Sequence, residues 1–141
     1  MTIKDKIKKK FYTVAEANAS LPLVRSILRD ITDLAVSIQG RHQRLVGLQN
    51  AGTIDKAHQE EIQQIVTGFE SDQERMKDYE QELKNLNVEL KDYVTGLIDF
   101  PCWMDGREVY LCWRLGEPEV SHWHELDTGF AGRQKLPRIS P

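Results

Sequence analysis

The side chains best suited to chemistry crowd into the last third of the chain. All three tryptophans, both cysteines and two of the four histidines of this 141-residue sequence lie between positions 102 and 124. A thiolate, an imidazole and a carboxylate are ligands that Zn²⁺ and other transition ions take from proteins. We therefore expect a binding site in this region.

The run His122-Trp123-His124-Glu125 supplies two imidazoles at alternate positions. Alternate side chains of a β-strand share one face and lie about 7 Å apart, which is a metal-chelating spacing. Glu125 points the other way on a regular strand and joins the histidines only through a β-bulge. Because an imidazole titrates near neutral pH, His124 beside Glu125 could also act as a general base.

An Asp105-Gly106 turn predicts how two neighbouring strands pair. Asp-Gly is a strong two-residue hairpin signal because the turn needs positive φ. Met104 then pairs with Arg107, and residues that oppose each other share one side of the sheet. One side is apolar apart from a thiol, and we expect it to pack on helices: Ile98, Phe100, Cys102, Val109, Leu111, Trp113 and Leu115. The other side carries Asp99, Trp103, Glu108, Tyr110, Cys112 and Arg114.

The two cysteines fall on opposite sides of this hairpin. Cys102 is predicted to be a small buried hydrophobe, whereas Cys112 lies on the polar side, where it could act as a ligand. This register allows neither a disulfide nor a shared metal between them, and no CxxC motif is present. Two free thiols fit a reducing cytoplasm.

The third strand can pair in two registers. With Gly116-Glu117-Pro118 as the loop, Cys112 opposes His122 and Tyr110 opposes His124, so both histidines gather beside Asp99 on the polar side. With a loop one residue longer, every side chain of the strand flips. The histidines then lie between sheet and helices, within reach of a helix carboxylate such as Glu16. The alternation of Val120, His122, His124 and Leu126 favours this second register.

The tail from Gly129 to Arg133 is punctuated by glycines. Its backbone N–H groups and Arg133 could cradle an anion, although the P-loop spacing is absent. We expect Phe130 to tuck the tail onto the core. The candidate metal ligands, for Zn or Fe, are Cys112, His122 and His124. The candidate ligand-binding residues are Asp99, Tyr110, Arg114, Glu125 and Arg133.

Two long helices should precede these strands. Thr13 and Glu16 fit a capping box, and Pro22 predicts a short helix over 13–20 with a new start at 21–22. A heptad-like apolar seam then follows, with Arg41 in one vacant place: Val24, Ile27, Ile31, Leu34, Ile38, Leu45 and Leu48. A second seam has Asp72 in its vacant place: Ile62, Ile65, Phe69, Met76, Tyr79, Leu83, Leu86 and Leu90. The predicted fold is α+β, an antiparallel helical hairpin (about 22–50 and 54–90) followed by a three-stranded antiparallel β-meander (about 97–126).

A lone pair of helices this long cannot bury both seams. We therefore expect a homodimer in which two hairpins form a four-helix, coiled-coil-like arrangement. The alternative to a metal- or anion-binding protein is accordingly a non-enzymatic oligomerisation or interaction module. Its contacts would include the predicted exposed face of Trp103 and Tyr110, since aromatic residues mark interfaces.

Composition sets the remaining bounds. With 40% hydrophobic and 29% charged residues the chain is one domain's worth of sequence, which we place at 11–136. A lysine-rich arm (1–10) is expected to be disordered and the end (137–141) to be flexible. The absence of a signal sequence and of a 20-residue apolar run points to the cytoplasm and away from membranes. A net charge of −3 argues against nucleic acid as the partner.

Several of these segments resemble one family. The strand motif from Gly106 to Glu119, together with Trp123-His124-Glu125 and the tail 129–134, is similar to the bacterial domain-of-unknown-function family 2203. The segments 11–18 and 21–24 resemble its N-terminal pattern. The family pattern carries the His at 124 and the Glu at 125, whereas position 122 is more often aromatic. The resemblance implies no reaction, and whether the protein is an enzyme stays open.

Overall fold

The computed structural model describes residues 10–52 and 54–137. Two helices, α1 (Val14–Gln49) and α2 (Lys56–Asn85), precede the strands. The predicted helical hairpin and the α+β class are confirmed. The arm, which was expected to be disordered, and the end of the chain, which was expected to be flexible, lie outside the described residues except for Lys10 and Pro137.

The capping box at the start of α1 is confirmed. The Glu16 N–H donates to Thr13 Oγ1 at 3.1 Å, and the Thr13 N–H donates to Glu16 Oε1 at 3.0 Å. Tyr12, just before the cap, is buried edge-on against Phe100. Its hydroxyl donates to the Leu86 carbonyl at 2.5 Å. The start of α1 is thereby joined both to the sheet and to the end of α2.

The expected break at Pro22 is wrong, because α1 runs through it without interruption. Proline inside a helix removes a hydrogen bond and costs roughly 3 kcal/mol. Pro22 itself is exposed, whereas Leu21 and Val24 beside it are fully buried. Burying each such side chain contributes about 1.5–3 kcal/mol, so packing keeps the helix continuous despite the proline.

The second helix ends earlier than expected, at Asn85 instead of about residue 90. Asn87 takes a left-handed conformation (φ 58°) and turns the chain into an unpredicted strand, β1 (Glu89–Asp92). Leu86 and Leu90 follow the spacing of the helical seam, although Leu86 caps the end of α2 and Leu90 lies in β1. Asparagine is among the few non-glycine residues that adopt this conformation readily.

Within residues 10–52 and 54–137 the sheet has five strands, whereas three were predicted. After β1 come β2 (Leu97–Met104), β3 (Arg107–Arg114), β4 (His122–His124) and β5 (Gln134–Lys135), all antiparallel and in sequence order. The predicted register of β2 and β3 is confirmed along its whole length, from Met104 opposite Arg107 onward. The two added strands extend the meander at both edges.

The apolar side of β2 and β3 packs on the helices, as predicted. Ile98, Phe100, Cys102, Val109, Leu111 and Trp113 are all buried there, against Leu21, Val24, Ile27, Leu28 and Ile31 of α1 and Leu83 of α2. Among the described residues between 35 and 75, none belongs to this core. That part of the hairpin, residues 35–49 of α1 and 56–75 of α2, projects beyond the sheet and is called the stalk below.

The two polar places in the apolar seams face each other in the stalk. Arg41 Nη2 forms an ion pair with Asp72 Oδ2, which is buried. The helices are joined again nearer the turn, where Arg44 forms two hydrogen bonds to Glu61 at 2.8 and 3.1 Å. Within the described residues, no helix has the length and apolarity needed to cross a membrane.

Candidate metal centre

The third strand adopts the register with the shorter loop. Tyr110 opposes His124 and Cys112 opposes His122. The register that the apolar alternation favoured is therefore wrong. Val120 is buried, but it lies before β4, where its N–H donates to Asn18 Oδ1 at 2.7 Å. The burial of Val120 therefore does not indicate on which side of the sheet the histidines of β4 lie.

The loop itself is held by Glu117. The Trp113 indole donates to the Glu117 carbonyl at 3.2 Å, and the Arg114 N–H donates to the Glu117 carboxylate at 2.7 Å. Gly116 has φ 104°, a conformation that favours glycine. Glu16, which the rejected register would bring to the histidines, caps its own helix instead.

This register brings three possible metal ligands together on the outer side of the sheet. Asp99 of β2, Cys112 of β3 and His124 of β4 each offer one donor atom, and these atoms all lie within 4.8 Å of one another. The three residues are 2%, 1% and 2% exposed. Asp99 and Cys112 are direct cross-strand neighbours, so the hairpin register alone positions two of the three.

Both ring nitrogens of His124 are engaged. Nδ1 lies 2.7 Å from the Glu125 backbone carbonyl, and Nε2 lies 3.0 Å from Asp99 Oδ1. A carbonyl oxygen only accepts, so Nδ1 carries a hydrogen and donates it. Nε2 is therefore the atom that faces Asp99, and one proton is shared between the imidazole and the carboxyl group.

Burial makes both acidic groups of the cluster reluctant to ionise. It raises the pKa of Asp99 above its ordinary value, and the hydrogen bond between Asp99 and His124 opposes this effect only in part. It also raises the pKa of the Cys112 thiol to about 12, with a further contribution from the charge of Asp99. Burial therefore disfavours the charged forms of both groups in the absence of a cation.

Two of the predicted site residues point elsewhere. His122 lies outside the three-residue cluster, with Nδ1 3.0 Å from the Ser121 hydroxyl. Burial and then the nearby Arg133 lower its pKa. The Glu125 carboxylate pairs with Arg107 at 2.6 Å, and this hydrogen bond lowers the pKa of Glu125. Only the backbone carbonyl of Glu125 touches the site.

The predicted anion cradle is closed by an acidic partner. One Arg133 nitrogen donates to both Glu117 oxygens at 3.0 Å. Phe130 does not enter the core as expected. Phe130 is partly exposed, and its ring lies under two guanidinium groups. The ring centroid is 4.7 Å from Arg133 Cζ and 5.4 Å from Arg114 Cζ. These contacts hold the tail over the outer side of the sheet.

A cavity of about 200 Å³ adjoins the cluster beneath this tail. It is lined by Lys91, Leu97, Asp99, Tyr110, His124, Leu126, Gly129 and Phe130. The centroid of the Tyr110 ring lies 5.5 Å from that of the His124 ring and 5.5 Å from Lys91 Nζ. Burial and then a hydrogen bond with Glu89 raise the pKa of Tyr110.

Sequence reasoning did not place three residues of the cavity wall in the site: Lys91 of β1, Leu97 of β2 and Leu126. The prediction did not include Lys91 because its strand, β1, overlaps the predicted end of the second helix at about residue 90. The usable signal was Asn87, followed by the alternating run from Val88 to Lys91. Trp103, predicted to be exposed, is indeed exposed, but it lies near the turn end of the hairpin, stacked on Phe11 at 5.5 Å.

Fold and site together define a small α+β protein whose helical hairpin backs an antiparallel sheet, with a buried Asp-Cys-His cluster on the sheet's outer side. The family model described as "Uncharacterized conserved protein (DUF2203)" matches residues 10–136. The chain belongs to this family, which confirms the resemblance noted from its motifs. No curated protein and no solved structure matches the chain.

Proposed function

We propose that this protein binds a divalent transition metal, Zn²⁺ or Fe²⁺, through Asp99, Cys112 and His124. The observation that carries the proposal is the convergence of three chemically suitable donor atoms within 4.8 Å of one another in a buried place. Metal-ligating histidines donate their other N–H to a carbonyl or carboxylate. The hydrogen bond from His124 Nδ1 to the Glu125 carbonyl has that arrangement.

Metal binding accounts for this cluster better than acid–base catalysis does. A general base has to reach the proton that it abstracts, whereas His124 is grouped with Asp99 and Cys112, two residue types that bind metal. A divalent ion replaces the shared proton and the thiol proton, and two anionic ligands then balance its charge. Buried charges are tolerated when they are paired or bind metal.

The ligand set favours Zn²⁺ or Fe²⁺ over Mg²⁺ or Ca²⁺. A thiolate and an imidazole suit the borderline-soft ions, whereas Mg²⁺ and Ca²⁺ take oxygen ligands. Three protein ligands leave one position of a tetrahedral ion open, as in catalytic zinc sites. Both described cysteines are free, so we place this site in a reducing cytoplasm.

Metal analysis with matched cysteine variants tests the proposal. Cys102 and Cys112 are both buried and free, yet they lie on opposite sides of one hairpin. We expect one equivalent of Zn²⁺ or Fe²⁺ in the wild type and in Cys102→Ser after metal supplementation and desalting, and a loss of at least 100-fold in affinity in Cys112→Ser. Equal metal content in the two variants, or none in the wild type, would refute the site.

We propose as a second function that the stalk mediates homodimerisation. Among its described residues only Leu48, Ile65 and Asp72 are buried. Ile38 and Phe69 line an open, mainly apolar groove between the two helices. A helix pair with so little buried surface is stabilised by a second pair that covers its apolar seam.

The charges of the stalk favour a second copy as the partner. Residues 35–49 include Arg41 and Arg44 but no Asp or Glu, whereas residues 56–75 contain five acidic side chains against two basic ones. Because Arg41 and Arg44 pair with Asp72 and Glu61 of their own chain, packing α1 of one copy on α2 of the other mainly avoids placing one acidic α2 against another. Such an interface is self-complementary across a two-fold axis.

Light scattering during size-exclusion chromatography measures the dimer directly. We expect twice the chain mass of 16.3 kDa for the wild type and for Gln64→Glu, which adds a charge at an exposed stalk position away from the groove. Phe69→Glu, inside the groove, should give the monomer mass. A wild-type monomer at 100 µM would rule out the dimer.

A further inference from the structure

The open side of the Asp-Cys-His cluster has a defined exit. Asp99 and His124 line the adjoining cavity, whereas Cys112 does not. A metal ion held by all three side chains therefore turns its free coordination position toward this cavity. Any external ligand of the ion has to occupy the space between the sheet and the tail.

The walls of the cavity are apolar opposite the cluster. Leu97 comes from β2, and Leu126 and Phe130 come from the tail. Apolar walls are unfavourable around a space that holds only water, because contact between apolar surface and water costs free energy. A ligand that brings a short hydrocarbon group into this space is stabilised by burying it.

One basic side chain lines the same space, and a second lies over its Phe130 wall. Lys91 lines the cavity, and one of its three N–H donors goes to Glu89 at 3.1 Å. The guanidinium of Arg114 lies over the Phe130 ring. An ion whose charge Asp99 and Cys112 balance still takes an electron-pair donor at its open position. A carboxylate offers such a donor and a protonated amine does not, and the Lys91 ammonium lies in the cavity wall.

We propose that the cavity binds a small monocarboxylate, with its carboxylate on the metal ion and its hydrocarbon group against Leu97, Leu126 and Phe130. This inference rests on the proposed metal site. The volume of about 200 Å³ is below the ~300–1,000 Å³ of pockets for drug-sized ligands, so the ligand is small. The expected ligand belongs to one chemical class, an anion with a short apolar tail.

Cobalt substitution tests the inference on the full chain. Co²⁺ bound to a thiolate absorbs in the near ultraviolet, and its visible bands shift when an external ligand binds. We expect butyrate to shift the visible bands of the Co²⁺-loaded protein. Formate, which lacks the hydrocarbon tail, should bind at least ten-fold more weakly. Butylamine, with the tail but the opposite charge, should cause no shift.

A variant pair locates the binding. Leu126→Asp places a negative charge in the cavity wall and should weaken butyrate binding at least ten-fold while the thiolate–cobalt band persists. Val94→Asp makes the same change at a residue that is exposed and outside the cavity, and it should bind butyrate as the wild type does.

The outcomes separate this inference from the metal site. A wild-type protein without the thiolate–cobalt band overturns the proposed metal site, and the ligand inference with it. A normal band with no response to butyrate overturns the ligand inference alone. The same holds if formate binds as tightly as butyrate, if butylamine shifts the bands, or if both variants behave alike.

Discussion

Replacing Asp99 by asparagine should separate the fold of this protein from the proposed metal site. His124 Nδ1 donates to the Glu125 carbonyl, so Nε2 of a neutral ring accepts. The amide group of asparagine can donate to Nε2, so a hydrogen bond between the two residues is kept in the variant. Without metal we therefore expect Asp99→Asn to change the free energy of unfolding by no more than ~1 kcal/mol, the net value of a typical hydrogen bond.

The metal-bound state should respond differently. A ligand present at about a thousand times its dissociation constant stabilises a protein by ~4 kcal/mol. If losing the carboxylate weakens metal binding about 100-fold, ~2.7 kcal/mol of that gain disappears. At the same Zn²⁺ concentration we therefore expect the wild type to gain about 4 kcal/mol and Asp99→Asn little more than 1 kcal/mol.

Urea denaturation with a chelator and with Zn²⁺ measures both values. Asp105→Asn is the control, since Asp105 lies exposed in the hairpin turn with φ 52°, a conformation that asparagine also adopts. The reasoning fails if Asp99→Asn loses ~3–5 kcal/mol without metal, because that loss belongs to a buried ion pair broken at one partner. It also fails if Zn²⁺ stabilises the variant as much as the wild type.

Three further changes have expected outcomes. Arg41→Ala leaves the buried Asp72 carboxylate without its ion-pair partner, so urea denaturation should show a loss of ~1–3 kcal/mol; leucine at both positions should recover most of it, and no recovery would contradict this account. Pro22→Ala restores a hydrogen bond inside α1 and should raise the free energy of unfolding by ~1–3 kcal/mol; a decrease would show that the proline is not a strained position. Glu125→Gln removes an exposed pair with Arg107 but not the carbonyl that holds His124, so metal content should stay at the wild-type level. Because the pair lowers the pKa of Glu125, any stability it adds is present at neutral pH and is lost as the pH falls through that lowered pKa; a wild-type advantage that grows on acidification would contradict this.

The features set by local chemistry were predictable from the sequence. The Asp105-Gly106 turn determined the pairing of β2 with β3, and this pairing placed Cys102 in the core and Cys112 beside Asp99. The capping box at Thr13 marked the start of the first helix. Each of these depends on residues that are close in the chain, so a short sequence pattern contains all the necessary information.

The features that failed depend on contacts between distant segments. The register of β4 is set partly by the Asn18 side chain of α1, which binds the Val120 N–H 102 positions away in the sequence. The continuity of α1 through Pro22 depends on the core beneath it. In the sequence, Arg41 and Asp72 each interrupt an apolar seam, but nothing shows that they pair. The antiparallel packing of the two helices brings them together as an ion pair.

The arrangement also predicts how the metal site and the fold depend on each other. The apolar core lies on one side of the sheet, against α1 and α2, while the cluster of Asp99, Cys112 and His124 lies on the other. Small zinc domains without a core of their own unfold when the metal leaves. Here the side of the sheet that packs on the helices contains none of the three ligands. Metal removal should therefore lower the stability of this protein while the helical hairpin and the sheet stay folded.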